Sequence, residues 1–498
     1  MINNIKKSIK IALINPRVES YSGTLPALGL LYIAALLEKY NFSVRIFDLY
    51  PYDDRDIPDL LSYQPDIIGM TVLTDYWLRA KHIAHIIKNK LPNSTFIIGG
   101  VHVTTLSKES LVGLGADIGI IGEGEYTMLE LCDHLNNNFD WKNILGIAYI
   151  NKNGDFIHNV ARPYIENLDE LPHPARHLLD FEKYLVPPGM IRGYWFERST
   201  TVMTSRGCPF SCIWCGSQCT FGRKVRYRSA DNITGELQYL INNYSVNAVW
   251  FVDDTFTLDK KRVLEFCENL LSNKIKLAWG CQAHVKTADE KMFRAMRIAG
   301  CVQLDFGVES GSNRVLKSLK KNSDSDSIKR AFSIAKKVGL RTCATFMFGS
   351  PSETEEDIKA TFQLAKEINP DFTSSYFITP YPGTELMEMV EINDWKMATD
   401  RSDKGSKKGP ILTIYFTEKD LMHIRAQFQK LFAFRNFSGL FTRPYFVKAV
   451  GLLLRYPGGI ISGFKAFLKT FVFDDFVFAF LVYYTKNKSK SIDKKIRF

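Results

Sequence analysis

Along the first 150 residues, short apolar runs alternate with stretches whose apolar positions recur every three or four residues. The runs Lys10–Asn15, Ser43–Asp48, Ile67–Val72, Thr95–Gly99 and Ile118–Ile121 predict strands, and Leu28–Tyr40 and Trp77–Lys90 predict helices between them. Strands this uniformly apolar suit a parallel sheet covered on both faces. Five of them with right-handed crossovers make a doubly wound α/β layer, flavodoxin-like (Rossmann-like), over residues 1–150.

The rhythm breaks over 151–195, where Leu171-Pro-His-Pro-Ala175 and Val186-Pro-Pro-Gly189 mark a hairpin and linker. A second βα series fills 196–395. Its expected strands are Thr200–Thr204, Ala248–Val252, Leu277–Cys281, Gln303–Val308, Thr342–Phe348 and Thr373–Ile378, with helical periodicity at Lys261–Leu271 and Asp324–Val338. Six βα units fall short of the eight of a TIM barrel, so a partial (β/α)6 barrel is expected, open on one side to a large substrate. Residues 396–498 read as a mainly helical C-terminal domain with a fraying, Lys- and Ser-rich end.

Charge sharpens this division. Residues 396–498 hold 20 Lys and Arg against 7 Asp and Glu, and 15 of the 35 Phe, whereas the preceding part carries 44 basic against 46 acidic residues. Basic residues interleaved with bulky apolar ones do not form a clean groove for nucleic acid. They suit either a helical cap over the barrel's open side or a surface touching a membrane. In Phe464-Lys-Ala-Phe-Leu-Lys469 the two lysines sit about one turn apart, as interfacial helices often show. No run of apolar residues is long enough to span a bilayer. The N-terminal residues lack the pattern of a secretory signal. With 9 Cys in 498 residues, reduced thiols in a cytoplasmic setting are expected, with the inner membrane face as the second possibility.

The sharpest chemical signal is Cys208-Pro-Phe-Ser-Cys212-Ile-Trp-Cys215, directly after the first strand of the second series. Loops at the carboxyl ends of barrel strands hold active sites, and this one offers three soft thiolates to one metal centre. A structural zinc would want a fourth ligand, for which Cys219 stands nearby. A [4Fe–4S] cube held by three thiolates keeps one iron open. The remaining cysteines share no spacing and read as buried.

This Cys-x3-Cys-x2-Cys run, with Trp214 before the last cysteine, resembles the signature of the radical S-adenosylmethionine superfamily. The resemblance implies a [4Fe–4S] cluster on Cys208, Cys212 and Cys215 whose open iron chelates S-adenosylmethionine and cleaves it reductively to a 5′-deoxyadenosyl radical. It also implies an external electron donor (flavodoxin or ferredoxin) and an anaerobic setting. Matching segments place the methionyl ammonium at Asp253 or Asp254, for either of which a helix cap and turn is the plainer alternative, and the ribose at Glu309 and Ser310. The adenine falls at Gly349.

The strand ends of the first layer, Thr71-Val-Leu-Thr74, Gly99-Gly100-Val-His102 and Gly122-Glu123-Gly-Glu125, are small and polar. In tandem with such a barrel, the layer resembles the cobalamin-binding domain of the B12-dependent subclass. Contacts to cobalamin are implied for Thr71, Thr74, Gly99, Gly100, His102, Gly122 and Glu123. The Asp-x-His-x-x-Gly element that ligates cobalt in many B12 proteins is absent, as it is in many members of this subclass. The resemblance implies methylation of an unactivated carbon on a lipid, isoprenoid, tetrapyrrole or secondary metabolite. Alternatives are ring formation of the magnesium-protoporphyrin monomethyl ester cyclase type, or a non-catalytic cobalamin and iron–sulfur sensor.

Overall fold

The computed structural model describes residues 9–18, 25–49, 53–185, 198–395, 416–438 and 446–470, with isolated positions at 191 and between 476 and 487. Two sheets organise it. The first has the order β2-β1-β3-β4-β5-β6-β7, built from β1 (Lys10–Asn15), β2 (Ser43–Asp48), β3 (Ile67–Thr71), β4 (Thr95–Gly99), β5 (Ile118–Ile120), β6 (Ile147–Ile150) and β7 (Phe156–His158). β1 to β5 run parallel, with Ile11 beside Val44 on one flank and Ile67 on the other. β6 and β7 add an antiparallel hairpin, so the sheet reaches His158 rather than ending near residue 150.

Alternate residues of one strand feed opposite faces. Ala12 and Ile14 pack with Ile83, Ile87 and Phe96 on one side, and Ile11 and Leu13 with Leu30, Leu37 and Leu131 on the other. This two-sided burial is why the strands read as continuous apolar runs.

The second sheet is fully parallel in the order β15-β14-β13-β12-β11-β8. Its strands are β8 (Ser199–Val202), β11 (Ala248–Phe251), β12 (Ala278–Ala283), β13 (Cys301–Glu309), β14 (Arg341–Phe348) and β15 (Phe372–Phe377). Among the described residues β15 does not return to β8, so six units form an open partial barrel as the periodicity predicted. A short ladder of β9 (Ser205–Arg206) and β10 (Arg226–Tyr227) stands apart from it. Several barrel helices begin on side-chain caps, including Ser229, Asp259, Asp289, Ser312 and Asp324, each accepting from a backbone N–H in the first turn.

The basic tail divides. Helix Glu418–Ser438 lies against β15 and contributes to the barrel's core: Phe428 packs among Phe346, Phe348 and Phe362 at ring separations of 4.9, 5.3 and 5.1 Å. Its Asn436 accepts from Thr373 N–H and donates back to Thr373 C=O, both at 3.0 Å. Helices Phe446–Arg455 and Pro457–Thr470 follow beyond the barrel. Among the described residues no helix is long and apolar enough to cross a membrane. Segments 186–190, 192–197 and 396–415, in the linker and early tail, lie outside the described residues.

Candidate active site

The cysteine loop is drawn shut by the small ladder. Arg206 pairs with Arg226 and Ser205 with Tyr227, so the chain between leaves β9 and returns to β10 beside its starting point. Gly207 makes the exit: its φ is +94°, and a Cβ there would stand 2.4 Å from Lys224 O. Ile213 N–H donates to Leu319 O at 3.2 Å and Leu386 N–H to Ile213 O at 2.9 Å, fastening the loop to the barrel's far side. Cys208, Cys212 and Cys215 are partly buried and free of disulfides. Burial pushes all three thiols up, Cys212 to about 11. Among the described residues no three His, Cys, Asp or Glu side chains gather closely enough to hold a single metal ion. Three thiols from one loop are the donor set for an iron–sulfur cube, where each thiolate takes a different iron.

Around this loop the strand ends converge. Between Gly307 and Glu309 the register of β13 against β14 shifts, and Glu309 adopts φ +64°, the left-handed region that a non-glycine residue enters at a cost. Its Oε1 accepts from Lys321 Nζ at 2.8 Å, and that ammonium lies 5.7 Å from the Trp214 ring centroid. Burial pulls the Lys321 ammonium down, but Glu309 and the neighbouring Cys212 outweigh it and the net direction is up. Lys321 is a site residue that the sequence did not disclose, because it stands in a Lys-Lys pair resembling any solvated surface.

The two acids after β11 have different roles. Asp253 is buried and accepts from Thr204 N–H and Ser205 Oγ, both at 2.6 Å, and from Thr204 Oγ1, with Arg262 at 3.9 Å. It clasps the exit of β8 to the end of β11. Asp254 accepts from Ser217 Oγ on the short helix Ser217–Phe221 that follows the cysteines, and burial pushes its carboxyl up. It is the acid that faces the loop.

Ser310 is fully buried, its hydroxyl 3.1 Å from Thr361 Oγ1 and accepting from Ser312 N–H at 3.2 Å, so it holds the turn after β13. Gly349, after β14, has φ +92°, and its N–H donates to Glu353 Oε2 at 2.8 Å. Glu353 is fully buried, and among the described residues its Oε1 has no hydrogen-bond partner. Burial raises its carboxyl to about 8, against the N–H groups of Gly349 and Ser350.

At the carboxyl edge of the first sheet, the turns after β3 and β4 bond to each other: Val72 N–H donates to Gly99 O at 2.7 Å and His102 N–H to Val72 O at 3.3 Å. Gly100 needs to be glycine, since its φ is +105° and a Cβ would meet Val72 O at 2.7 Å and Thr71 Oγ1 at 3.1 Å. His102 is buried, 3.2 Å from Thr74 Oγ1 and tilted against the Trp77 ring at 4.7 Å between centroids, and burial lowers its pKa. The imidazole is thus packed inside the layer. Gly122 has φ +76°, donates its N–H to Thr104 Oγ1 at 3.0 Å, and would point a Cβ into open space. That open cradle at Gly122 leaves room beside the strand end for part of a bulky group. Glu123 does not face it. Its carboxylate accepts from Arg206, Arg226 and the Ile165 N–H.

The two edges meet. The short helix Val101–Thr105 packs on helix Ser217–Phe221. At Gly383 an added Cβ would touch both Thr105 Cγ2, at 2.6 Å, and Cys219 Sγ, at 3.2 Å. Cys219 donates to Gly383 O at 3.2 Å and so belongs to this seam. The cradle of the first layer therefore opens beside the cysteine loop of the barrel.

Comparison with known proteins agrees with this arrangement. Residues 202–365 match the model of the radical SAM superfamily and residues 14–132 that of the B12 binding domain. An uncharacterised methyltransferase of Pyrococcus horikoshii is 36% identical over 400 residues, covering 78% of this chain and 84% of the relative. The anaerobic magnesium-protoporphyrin IX monomethyl ester cyclase of Rubrivivax gelatinosus is 28% identical, covering 82% and 77%. The solved structure of OxsB, a cobalamin-dependent S-adenosylmethionine radical enzyme with aqua-cobalamin and S-adenosylmethionine bound, superposes with a TM-score of 0.72 at 19% identity, covering 93% of this chain and 73% of that one.

Proposed function

This chain belongs to the cobalamin-binding radical S-adenosylmethionine enzymes, and from that membership we propose that it methylates an unactivated carbon of a lipophilic small molecule. Its cofactors are a [4Fe–4S] cluster, S-adenosylmethionine and cobalamin. When bound, they supply the electron and the sulfonium for a 5′-deoxyadenosyl radical and a carrier for the methyl group.

In this reading Cys208, Cys212 and Cys215 hold the cluster. Asp254 pairs with the methionyl ammonium, Glu309 accepts from the ribose hydroxyls, and the glycine turn at Gly349 admits the adenine. Ser310 acts by keeping Glu309 in place. Thr71, Thr74, Gly99, Gly100 and Gly122 form the bed for cobalamin, with His102 supporting it from within. A flavodoxin or ferredoxin supplies electrons. One observation carries the reading: the open cradle at Gly122 lies on the same seam as the cysteine loop, through Thr105, Gly383 and Cys219. A carbon held there is within reach of both halves.

Support for a lipophilic substrate comes from the unclosed barrel, from the tetrapyrrole in the cyclase relative's name, and from the outer helix Pro457–Thr470. That helix buries Gly459 and Gly463 against Phe480 and Phe476 and leaves Ile461, Phe464 and Leu468 exposed beside Lys465 and Lys469. Apolar side chains flanked by ammonium groups suit an anionic bilayer surface. We place the enzyme at that surface, in the cytoplasm.

The test is anaerobic incubation of the reconstituted protein with S-adenosylmethionine, methylcobalamin, a reductant and lipid extracts. A product heavier by one CH2, together with 5′-deoxyadenosine, is expected. A product that has lost hydrogens without gaining a methyl group would replace this reading with ring formation.

A further inference from the structure

Arg206 and Arg226 stand directly opposite each other across the ladder that closes the cysteine loop. Two like charges in that register repel, and both side chains are about 3% exposed, so water does not screen them. The compensation comes from the other domain. Glu123 Oε1 accepts from Arg206 at 2.8 Å and from Arg226 at 2.9 Å, and Glu123 Oε2 accepts from Arg226 at 2.7 Å. Glu125 takes the second Arg206 nitrogen at 2.5 Å. The result is two cations and two anions, all buried, closed in by the rings of Tyr32 and Phe221 over Arg206 and Tyr164 over Arg226.

Each member abuts a cofactor segment. Glu123 follows Gly122 at the open cradle. Arg206 precedes Gly207 and Cys208. Arg226 also donates to Phe221 O at 3.0 Å, the last residue of the helix after the cysteines, and to Ile165 O at 2.8 Å in the linker. Without the two glutamates the docked seam would bury two unpaired guanidinium groups.

We propose that Glu123 is a positioning residue through which the cobalamin-binding layer completes the cysteine loop of the barrel, so that this loop takes its cluster-ready shape only when the two domains are docked. The inference rests on the proposed reading only for the identity of what the two loops hold. The juxtaposition of Glu123 with Arg206 and Arg226 stands without it.

The test uses the full chain in its cofactor-free form. Glu123→Gln removes the charge shared by both arginines. Amide hydrogen exchange over residues 207–222, in the other domain, should rise at least about tenfold, while β1 to β4 keep their protection. After anaerobic reconstitution, iron retained per chain should fall at least about twofold. Adding Arg226→Met to Glu123→Gln removes the surplus positive charge and should restore slow exchange, a rescue that simple loss of packing would not produce. Should Glu123→Gln fail to fold, Glu125→Gln, which removes one contact to Arg206 alone, should give the same pattern at smaller amplitude. Unchanged exchange at 207–222 in a folded variant overturns the proposal, as does loosening that spreads equally through the first layer. A protein that shows the propagated loosening yet never methylates a substrate would keep this inference and refute the functional reading.

Discussion

Lys321 Nζ meets Glu309 Oε1 at 2.8 Å inside the barrel mouth, with the Trp214 ring alongside and both side chains about 10% exposed or less. A buried pair of this kind is stable only while both partners remain, because either alone leaves an uncompensated charge. Glu309→Gln should therefore lower the stability of the cofactor-free protein by about 3–5 kcal/mol. Glu309→Gln combined with Lys321→Met should recover most of that loss. Thermal unfolding of the two variants checks this. A single substitution without effect on the midpoint would show that the pair does not govern the mouth.

Replacement of one loop thiol distinguishes the cluster from a zinc site. Cys212→Ala should abolish 5′-deoxyadenosine formation and strip iron and sulfide from anaerobically reconstituted protein. Cys219→Ala removes only a contact to Gly383 O and should keep both near their original content. Iron analysis with an anaerobic visible spectrum reads the difference. Loss of bound metal from the Cys219 variant would restore the four-cysteine alternative.

Glu353 gives the fold a pH dependence with a definite sign. Its folded pKa, about 8, lies above the ordinary 4.5, so the protonated acid is the form that the fold favours. Its contribution is complete below about pH 4.5 and is lost as pH rises through about 8, at a slope of up to about 1.4 kcal/mol per pH unit. Glu353→Gln keeps an acceptor for the Gly349 N–H and carries no charge, so it should flatten the alkaline decline. Unfolding midpoints from pH 5 to 9 test this, and parallel curves for the two proteins would refute it.

Ile461→Glu with Leu468→Glu places two carboxylates on the exposed face of the outer helix. Binding to vesicles containing anionic lipid should fall by at least about tenfold, with unfolding unchanged, because neither residue belongs to the buried side. Co-sedimentation with such vesicles, against purely zwitterionic ones, measures it. Equal binding by the variant would remove the membrane from the proposal.

What the sequence disclosed follows from what periodicity can carry. The strands of the doubly wound layer and most barrel strands were legible to within a residue or two, since buried parallel strands form unbroken apolar runs bounded by turns. The cysteines were legible because their spacing is chemical. The ladder Ser205–Arg206 with Arg226–Tyr227 was not, since two residues have no period, and the strand expected to run through Thr204 instead stops at Val202 where Asp253 clasps it. The partners of Glu123 were not legible because they lie 83 and 103 positions away. Lys321 and Glu353 carry no local mark at all; only tertiary packing reveals that one is paired and the other confined. The tail's helices divide in a way its composition did not disclose: Glu418–Ser438 packs into the core, and Pro457–Thr470 leaves Ile461, Phe464 and Leu468 exposed.

Asn436 has a consequence for the barrel's exposed edge. Its amide occupies, at Thr373, the donor and acceptor that an adjoining strand would need in order to add itself to the barrel's outer rim. A second molecule approaching that rim finds the Thr373 rung already taken by the chain's own side chain. That rung is thereby closed to an incoming strand, although among the described residues β15 does not return to β8.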